Sequence, residues 1–159
     1  MKLSKYVNLS EATKSQTATR KGIKNEPDEE QLEAMKYVAK NIFDKVRDFV
    51  GGPLFPSSFF RSPELNVAIG GAKTSQHCKG EAIDIDADFY GKGSNVDIFW
   101  YIKNKLTFDQ LIWEFGSTTN PDWVHVSLKK EDNRGQVLRC YKRDDGTTQY
   151  ISFDLMEQL

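Results

Sequence analysis

The chain has 159 residues and a mass of 18.2 kDa, with 22 basic and 23 acidic residues and an isoelectric point near 6.1. A domain of this size can bury a continuous core without disulfide bonds or structural metal ions. The near-neutral net charge argues against a nucleic acid or anionic membrane partner. Because Cys78 and Cys140 are too few for a disulfide framework, we expect free thiols, with a single bridge as the alternative.

The N-terminal region lacks the apolar run of a signal peptide, and no stretch approaches the roughly 18 apolar residues of a transmembrane helix. We therefore expect synthesis in the cytoplasm and no membrane insertion. Residues 1–159 are interpreted as one domain, with a helical part at 9–52, a central part at 59–128 and a C-terminal hairpin at 136–154.

The first third of the chain predicts two helices. Ser10, followed by an acidic residue, is typical of the start of a short helix. A stronger start lies at Pro27, which carboxylates flank, and apolar residues then recur at helical spacing until Gly51 ends the helix. This second helix should be the main helix of the core.

Shorter elements follow. The segment GEAIDIDADF (80–89) alternates apolar residues with aspartates, which is typical of a strand with one apolar face. Residues 94–106 predict a helix whose inward side chains are Val96, Phe99, Trp100 and Ile102.

The last third predicts strands at 108–115 (FDQLIWEF) and 123–128 (WVHVSL), and a hairpin formed by 137–142 and 149–153 around Asp144-Asp145-Gly146. Because strands and helices do not alternate in β-α-β units, the elements predict an α+β fold with an antiparallel sheet and flanking helices.

Both histidines of the chain have positions that suit metal binding. Period-two alternation puts His125 and Asp84 on the faces of their strands that point away from the core. If the two strands are neighbours, these side chains share one face, and His77 can fold back over it across a turn at Gly80. Two imidazoles and one carboxylate, with a fourth position left for water, are the donor set of a catalytic zinc site.

The segment 75–84 matches the pattern S-x-H-x-x-G-x-A-x-D, and 122–125 matches D-x-x-H. Both motifs resemble those of the zinc peptidases that include D-alanyl-D-alanine carboxypeptidases, D-alanyl-D-alanine dipeptidases and phage L-alanyl-D-glutamate endolysins. The resemblance extends from about residue 10 to 127 and implies the zinc fold shared with Hedgehog domains. It also implies one Zn²⁺ per chain, bound by His77, Asp84 and His125.

The same resemblance implies roles for further residues. Asp122 is the expected general base, in a turn before its strand because a spacing of three would otherwise place it opposite His125. Arg61 is expected to steady the substrate or the oxyanion, with a surface salt bridge as the alternative, and Ser75 to support the site by hydrogen bonding.

Other side chains are expected around the ligands or in contact with substrate: Gln76, Trp123, which shares the metal face, and Glu114, which alternates outward from its strand. Asp86 and Asp88 are expected to be solvated residues of the exposed part of their strand, Cys78 to be a packing residue, and Trp100 and Trp113 to belong to the core.

The sequence thus predicts a zinc metallopeptidase that cleaves a peptide bond in bacterial peptidoglycan stem peptides, as a D-Ala-D-Ala carboxypeptidase-like or L-Ala-D-Glu endolysin-like enzyme. Asp at the base position favours the endolysin-like group, and a phage lysin that reaches the cell wall or travels in the virion is the expected setting. The alternative is a zinc-stabilised, non-catalytic cell-wall or protein binding module. A Ser-His-Asp hydrolase using Ser75 or Ser127 would lack a nucleophile elbow.

Overall fold

The N-terminal part of the chain forms a helical layer. In a computed structural model, which describes residues 1–90 and 92–158, the helices are α1 (Leu9–Ala12), α2 (Gln16–Lys21), α3 (Glu29–Val38) and α4 (Asp44–Val50), with a π-helical turn (Ala39–Phe43) joining α3 to α4. The predicted long helix is therefore confirmed. Gly91 and Leu159 of the predicted domain lie outside the described residues.

The caps explain where these helices begin and end. Asp28 accepts a hydrogen bond from the backbone N–H of Gln31, whose side chain accepts one in return from the N–H of Asp28. Gly51 ends α4 in the left-handed region, with φ 69°. The first helix begins two residues earlier than predicted, because Asn8 and not Ser10 is its cap: the Asn8 side chain accepts a hydrogen bond from the N–H of Glu11.

A six-stranded sheet packs against this layer. Its strands are β1 (Pro56–Ser58), β2 (Ala82–Ile85), β3 (Gln110–Glu114), β4 (Trp123–Ser127), β5 (Gln136–Lys142) and β6 (Thr148–Ser152). They lie in the order β1-β2-β4-β3-β5-β6, and all neighbours are antiparallel except β3 and β5, which are parallel. The predicted α+β class and the hairpin are confirmed, and the sheet is mixed but mostly antiparallel.

The remaining helical elements flank the sheet: α5 (Pro63–Ala68), a 3-10 turn (Gln76–Lys79), α6 (Ala87–Tyr90), α7 (Asn95–Lys105) and a C-terminal 3-10 segment (Phe153–Gln158). One face of the sheet meets the helical layer in the core, where Ile83, Leu111, Val124, Val126 and Phe43 are fully buried. None of the described helices is both long and apolar enough to cross a membrane.

The strand predicted over 80–89 is shorter than its alternation suggested. β2 ends at Ile85, and α6 begins two residues later. Asp88 is exposed and Asp86 half-buried, but neither belongs to a strand. Asp86 accepts a hydrogen bond from the Asn95 side chain, and Asp88 accepts one from that of Asn120. These bonds hold a turn where a strand was expected, and Phe89 is 77% exposed as a result.

Two further predictions concern burial. Trp100 is 42% exposed, and its ring packs edge-on against Phe99 and Phe153 on the flank of α7. The face of α7 that meets the core is centred on Ile98, Phe99 and Ile102, so Trp100 was wrongly placed in the core whereas Trp113 is buried as predicted. Both cysteines are free, as expected.

Candidate metal centre

Strands β2 and β4 bring Asp84 and His125 together. The two strands pair antiparallel, with Asp84 directly opposite His125, as the alternation of each strand required. Their neighbours Ile83 and Val124 are fully buried on the other face. The Oδ1 atom of Asp84 lies 3.0 Å from Nδ1 of His125, so both side chains are held on rigid, adjacent strands.

His77 reaches the same point from the 3-10 turn. The Ser75 hydroxyl accepts a hydrogen bond from the backbone N–H of His77, which fixes the start of the turn. Gly80 ends it with φ 74°, and a Cβ there would lie 2.5 Å from the Gln31 carbonyl oxygen of α3. Glycine is therefore required at this motif position both by backbone conformation and by close packing.

The ring of His77 is oriented by the backbone. Its Nδ1 lies 2.7 Å from the Phe59 carbonyl oxygen and donates a hydrogen bond to it, which leaves the lone pair on Nε2. The Nε2 atom is buried, has no hydrogen-bond partner and lies 3.4 Å from Oδ1 of Asp84. A buried ring nitrogen without a partner is costly unless it has a ligand.

One ligand atom from each of His77, Asp84 and His125 lies within 4.8 Å of the other two. Burial lowers the pKa of His77, so its imidazole is neutral. Burial alone would raise the pKa of Asp84, but the two neighbouring imidazoles hold it well below its usual range, so the carboxylate is ionised. The lone pairs and the single negative charge fit a divalent cation with N and O ligands, such as zinc.

A family model described as peptidase M15 matches residues 5–127, which include all three of these side chains. The chain belongs to the peptidase M15 family. It is therefore a metallopeptidase, since peptidases of this family depend on a metal ion, usually zinc, and the resemblance drawn from the two motifs is confirmed. No curated protein matches the chain.

Arg61 lies at the edge of the M15 ligand cluster. Its Nη2 is 3.8 Å from Oδ2 of Asp84, and its Nη1 donates to the Asn66 side chain at 3.2 Å. A Cβ at Gly71 would lie 2.0 Å from Oδ1 of Asn66, so this glycine leaves room for the amide that holds the guanidinium. With 14% of its side chain exposed, Arg61 is a cleft residue and not part of a surface salt bridge.

The cluster lies in a cleft of about 880 Å³, and five further predicted residues line it: Arg61, Ser75, Gln76, Glu114 and Trp123. Gln76 donates a hydrogen bond to the Asp109 carboxylate. Glu114 is only 7% exposed, and burial raises its pKa to about 7. The structure thus gathers every predicted site residue around one cavity except Asp122.

Asp122 precedes β4, as its spacing from His125 required, but it is exposed and does not line the cleft. The backbone of Asp122 makes hydrogen bonds: its N–H donates to the Glu114 carbonyl, and its carbonyl accepts from the Asn95 side chain. Its carboxylate is not part of the cluster formed by His77, Asp84 and His125. Its catalytic role stays a prediction.

Other cleft residues were not among the predicted site residues. Asp109 pairs with Arg134 across 25 positions of sequence, and Phe115 and Tyr150 form part of the wall beside Glu114. Asp109 and Phe115 belong to the segment predicted as a strand, so they could have been proposed. Tyr150 lies on β6, and its place depends on the parallel pairing of β5 with β3, which no local pattern signals.

Proposed function

We propose that this M15 peptidase is a zinc enzyme that hydrolyses a peptide bond in peptidoglycan stem peptides. The observation that carries the proposal is the convergence of His77, Asp84 and His125 at the cleft, with the buried Nε2 of His77 left without a partner. A structural metal site has no need of an adjoining cavity, whereas an enzyme requires room for substrate beside the metal.

In the proposed reaction His77, Asp84 and His125 hold the metal, and Phe59 keeps His77 in the tautomer that binds it. A zinc ion held there would supply Lewis acidity for the substrate carbonyl and for activation of the attacking water. Arg61, 3.8 Å from Asp84, is close enough to contact the carbonyl oxygen as negative charge develops on it.

Asp122 is the proposed general base, which takes a proton from the attacking water and returns it to the leaving amine. To do so, its carboxylate must turn into the cleft when substrate binds. Replacing Asp122 with Asn should lower kcat about 100-fold or more, the usual contribution of a general base, and leave zinc bound because Asp122 is not in the ligand cluster. Unchanged turnover would assign the proton transfer to another group.

Among peptide bonds of the stem peptide, we propose the one between L-alanine and D-glutamate. An aspartate at position 122 is shared with the endolysin-like group that the motifs resemble, whereas dipeptidase relatives carry glutamate there. The alternative is the carboxypeptidase reaction at the terminal D-alanine. For either reaction we propose that the protein is a phage lysin.

The test is digestion of purified peptidoglycan by the zinc-loaded protein, by chelator-treated protein and by treated protein after zinc is restored. New amino termini are identified by mass spectrometry. We expect cleavage that chelation abolishes and zinc restores, with a new D-glutamate amino terminus. Release of D-alanine alone would favour the carboxypeptidase, and binding of peptidoglycan without cleavage would favour the non-catalytic module.

The matched variant for this test is Asp84→Asn. Asparagine has nearly the same shape but supplies no anionic ligand, so zinc binding and cleavage should be lost together. Asp97→Asn on the exposed surface of α7 is the control for the same chemical change. Full activity of Asp84→Asn would contradict the metal site.

A further inference from the structure

We propose that one end of the cleft, formed by Glu114, Phe115, Trp123 and Tyr150 and named here the Glu114 pocket, binds an ammonium group of the substrate. This inference rests on the proposed function, because it specifies which stem peptides the site accepts. Two sources of the ammonium are possible in such a peptide: the free amino terminus and the side chain of its diamino acid.

The sheet register places these side chains in one row. Trp123 on β4 lies opposite Glu114 on β3, Glu114 lies opposite Cys140 on β5, and Cys140 lies opposite Tyr150 on β6. The neighbouring row contains Asp84, His125 and Ile112. Two residues of a strand span about 7 Å, so the Glu114 pocket lies about two residues of an extended peptide from the metal ligands.

Phe115 joins this wall through an unusual backbone conformation. Consecutive residues of a strand face opposite sides, yet Glu114 and Phe115 both line the cleft. Phe115 achieves this with φ 52°, in the left-handed region that bulky residues rarely adopt. Its ring then lies 5.4 Å from that of Trp123, and such an outlier beside a cleft is typical of a binding site.

Glu114 has no cationic partner. Within the described residues, no Lys, Arg or His nitrogen forms an ion pair with its carboxylate, although the side chain is only 7% exposed. The buried Arg139 nearby donates instead to the carbonyl oxygens of Cys140 and Gly116. Burial raises the pKa of Glu114 to about 7, because the charges of His125 and Arg139 and a hydrogen bond from Cys140 offset it only in part.

A buried carboxylate with aromatic neighbours is suited to an alkylammonium ion. The carboxylate accepts charge-assisted hydrogen bonds, and the faces of Phe115, Trp123 and Tyr150 attract a cation through their ring quadrupoles. A substrate carboxylate at the same place would face Glu114 and be repelled.

The test measures binding of four stem-peptide analogues that differ only in acetylation: both amines free, the α-amine acetylated, the side-chain amine acetylated, or both acetylated. Isothermal titration calorimetry on metal-free protein avoids turnover, and kcat and KM are then measured on the zinc-loaded protein. We expect the doubly acetylated peptide to bind about 10-fold to 100-fold more weakly than the free peptide, the range for a lost charge-assisted hydrogen bond. The singly acetylated peptides identify which amine is bound.

Glu114→Gln should remove this preference, chiefly through KM, while zinc content and thermal stability are retained. Glu131→Gln, in an exposed loop outside the cleft, makes the same change and should keep the preference. Equal binding of all four peptides to the wild-type protein would overturn the proposal even if the variant failed to fold, as would a preference that survives in Glu114→Gln. Cleavage without an ammonium preference would refute this inference alone, whereas an ammonium preference without cleavage would refute the proposed enzymatic function alone.

Discussion

Two buried carboxylates lie at opposite ends of β3, and they differ in their hydrogen-bond and ion-pair partners. Asp109, which precedes the strand, is 1% exposed and accepts hydrogen bonds from Gln76 and from the backbone and side chain of Arg134. Glu114, which ends the strand, is 7% exposed and has no cationic partner among the described residues. Burial alone is therefore not what distinguishes them.

The pKa values of Asp109 and Glu114 are shifted in opposite directions. Burial would raise the pKa of Asp109, but the hydrogen bonds from Arg134 lower it to about 2. Burial raises that of Glu114 to about 7, and nothing nearby fully offsets the effect. A carboxylate whose partners are all internal stabilises the fold, whereas one that lacks them is costly to the fold and is available to a ligand.

The largest expected effect is on stability at the paired end. Asp109→Asn should lower the free energy of unfolding by about 3 kcal/mol, because the neutral amide loses the charge that pairs with Arg134 and supplies one acceptor where Arg134 and Gln76 use two. Chemical denaturation of the metal-free protein measures this. The exposed Asp97→Asn should change stability by less than about 0.5 kcal/mol, and an equally small change for Asp109 would remove the contrast with Glu114.

A smaller effect is expected from pH at the unpaired end. The folded protein binds a proton at Glu114 up to about pH 7, whereas the unfolded chain releases it near 4.5. The free energy of unfolding should therefore fall as pH rises through this window, by about 2 kcal/mol, and Glu114→Gln should remove that fall. Burial lowers the pKa of His77 and gives the opposite slope, so the quantity to measure is the difference between the two proteins.

The contribution of Asp109 to the free energy of unfolding depends on pH with the opposite sign. Its stabilising contribution is present above its ordinary pKa of 3.8 and is lost as pH falls towards 2. Acid should therefore weaken the Asp109 end and strengthen the Glu114 end. If the wild-type protein and Glu114→Gln had the same free energy of unfolding at every pH between 4.5 and 7, the raised pKa of Glu114 would be contradicted.

The smallest effect is expected from the partner of Asp109. Arg134→Ala should cost only about 1 kcal/mol, because its side chain is 51% exposed and solvent screens much of the attraction. Asp109 also keeps the backbone N–H of residue 134 and the side chain of Gln76. Denaturation measures the loss, and carboxyl NMR should show the pKa of Asp109 rising towards its ordinary value; an unshifted pKa would mean that Arg134 is not the cause.

The sequence was sufficient to predict that His77, Asp84 and His125 converge, because short-range rules control their positions. Period-two alternation set the faces of Asp84 and His125, and the turn at Gly80 returned His77 to that face. The same alternation failed at Asp86 and Asp88, since hydrogen bonds from the distant residues Asn95 and Asn120 replace the strand by a turn. Local periodicity does not reveal hydrogen-bond partners that lie far along the chain.

The Glu114 pocket shows the same limit. Outward alternation was enough to mark Glu114 and Trp123, but the position of Tyr150 requires that β5 run parallel to β3 and that β6 return beside it. Phe115 is itself neither glycine nor asparagine, so its residue type does not predict a left-handed backbone. Asp122 was correctly placed before β4, but its exposure outside the cleft was not predicted.

The parallel pairing of β5 with β3 has a consequence for engineering. The hairpin of β5 and β6 is joined to the rest of the sheet through β3 alone, whereas β2 and β4, which carry Asp84 and His125, lie on the other side of that strand. The hairpin also lies outside residues 5–127, over which the peptidase M15 family model matches the chain. A hairpin grafted at 136–152 in the same register would give the cleft a new outer wall, so selectivity could be redesigned there while the strands that carry Asp84 and His125 are left as they are.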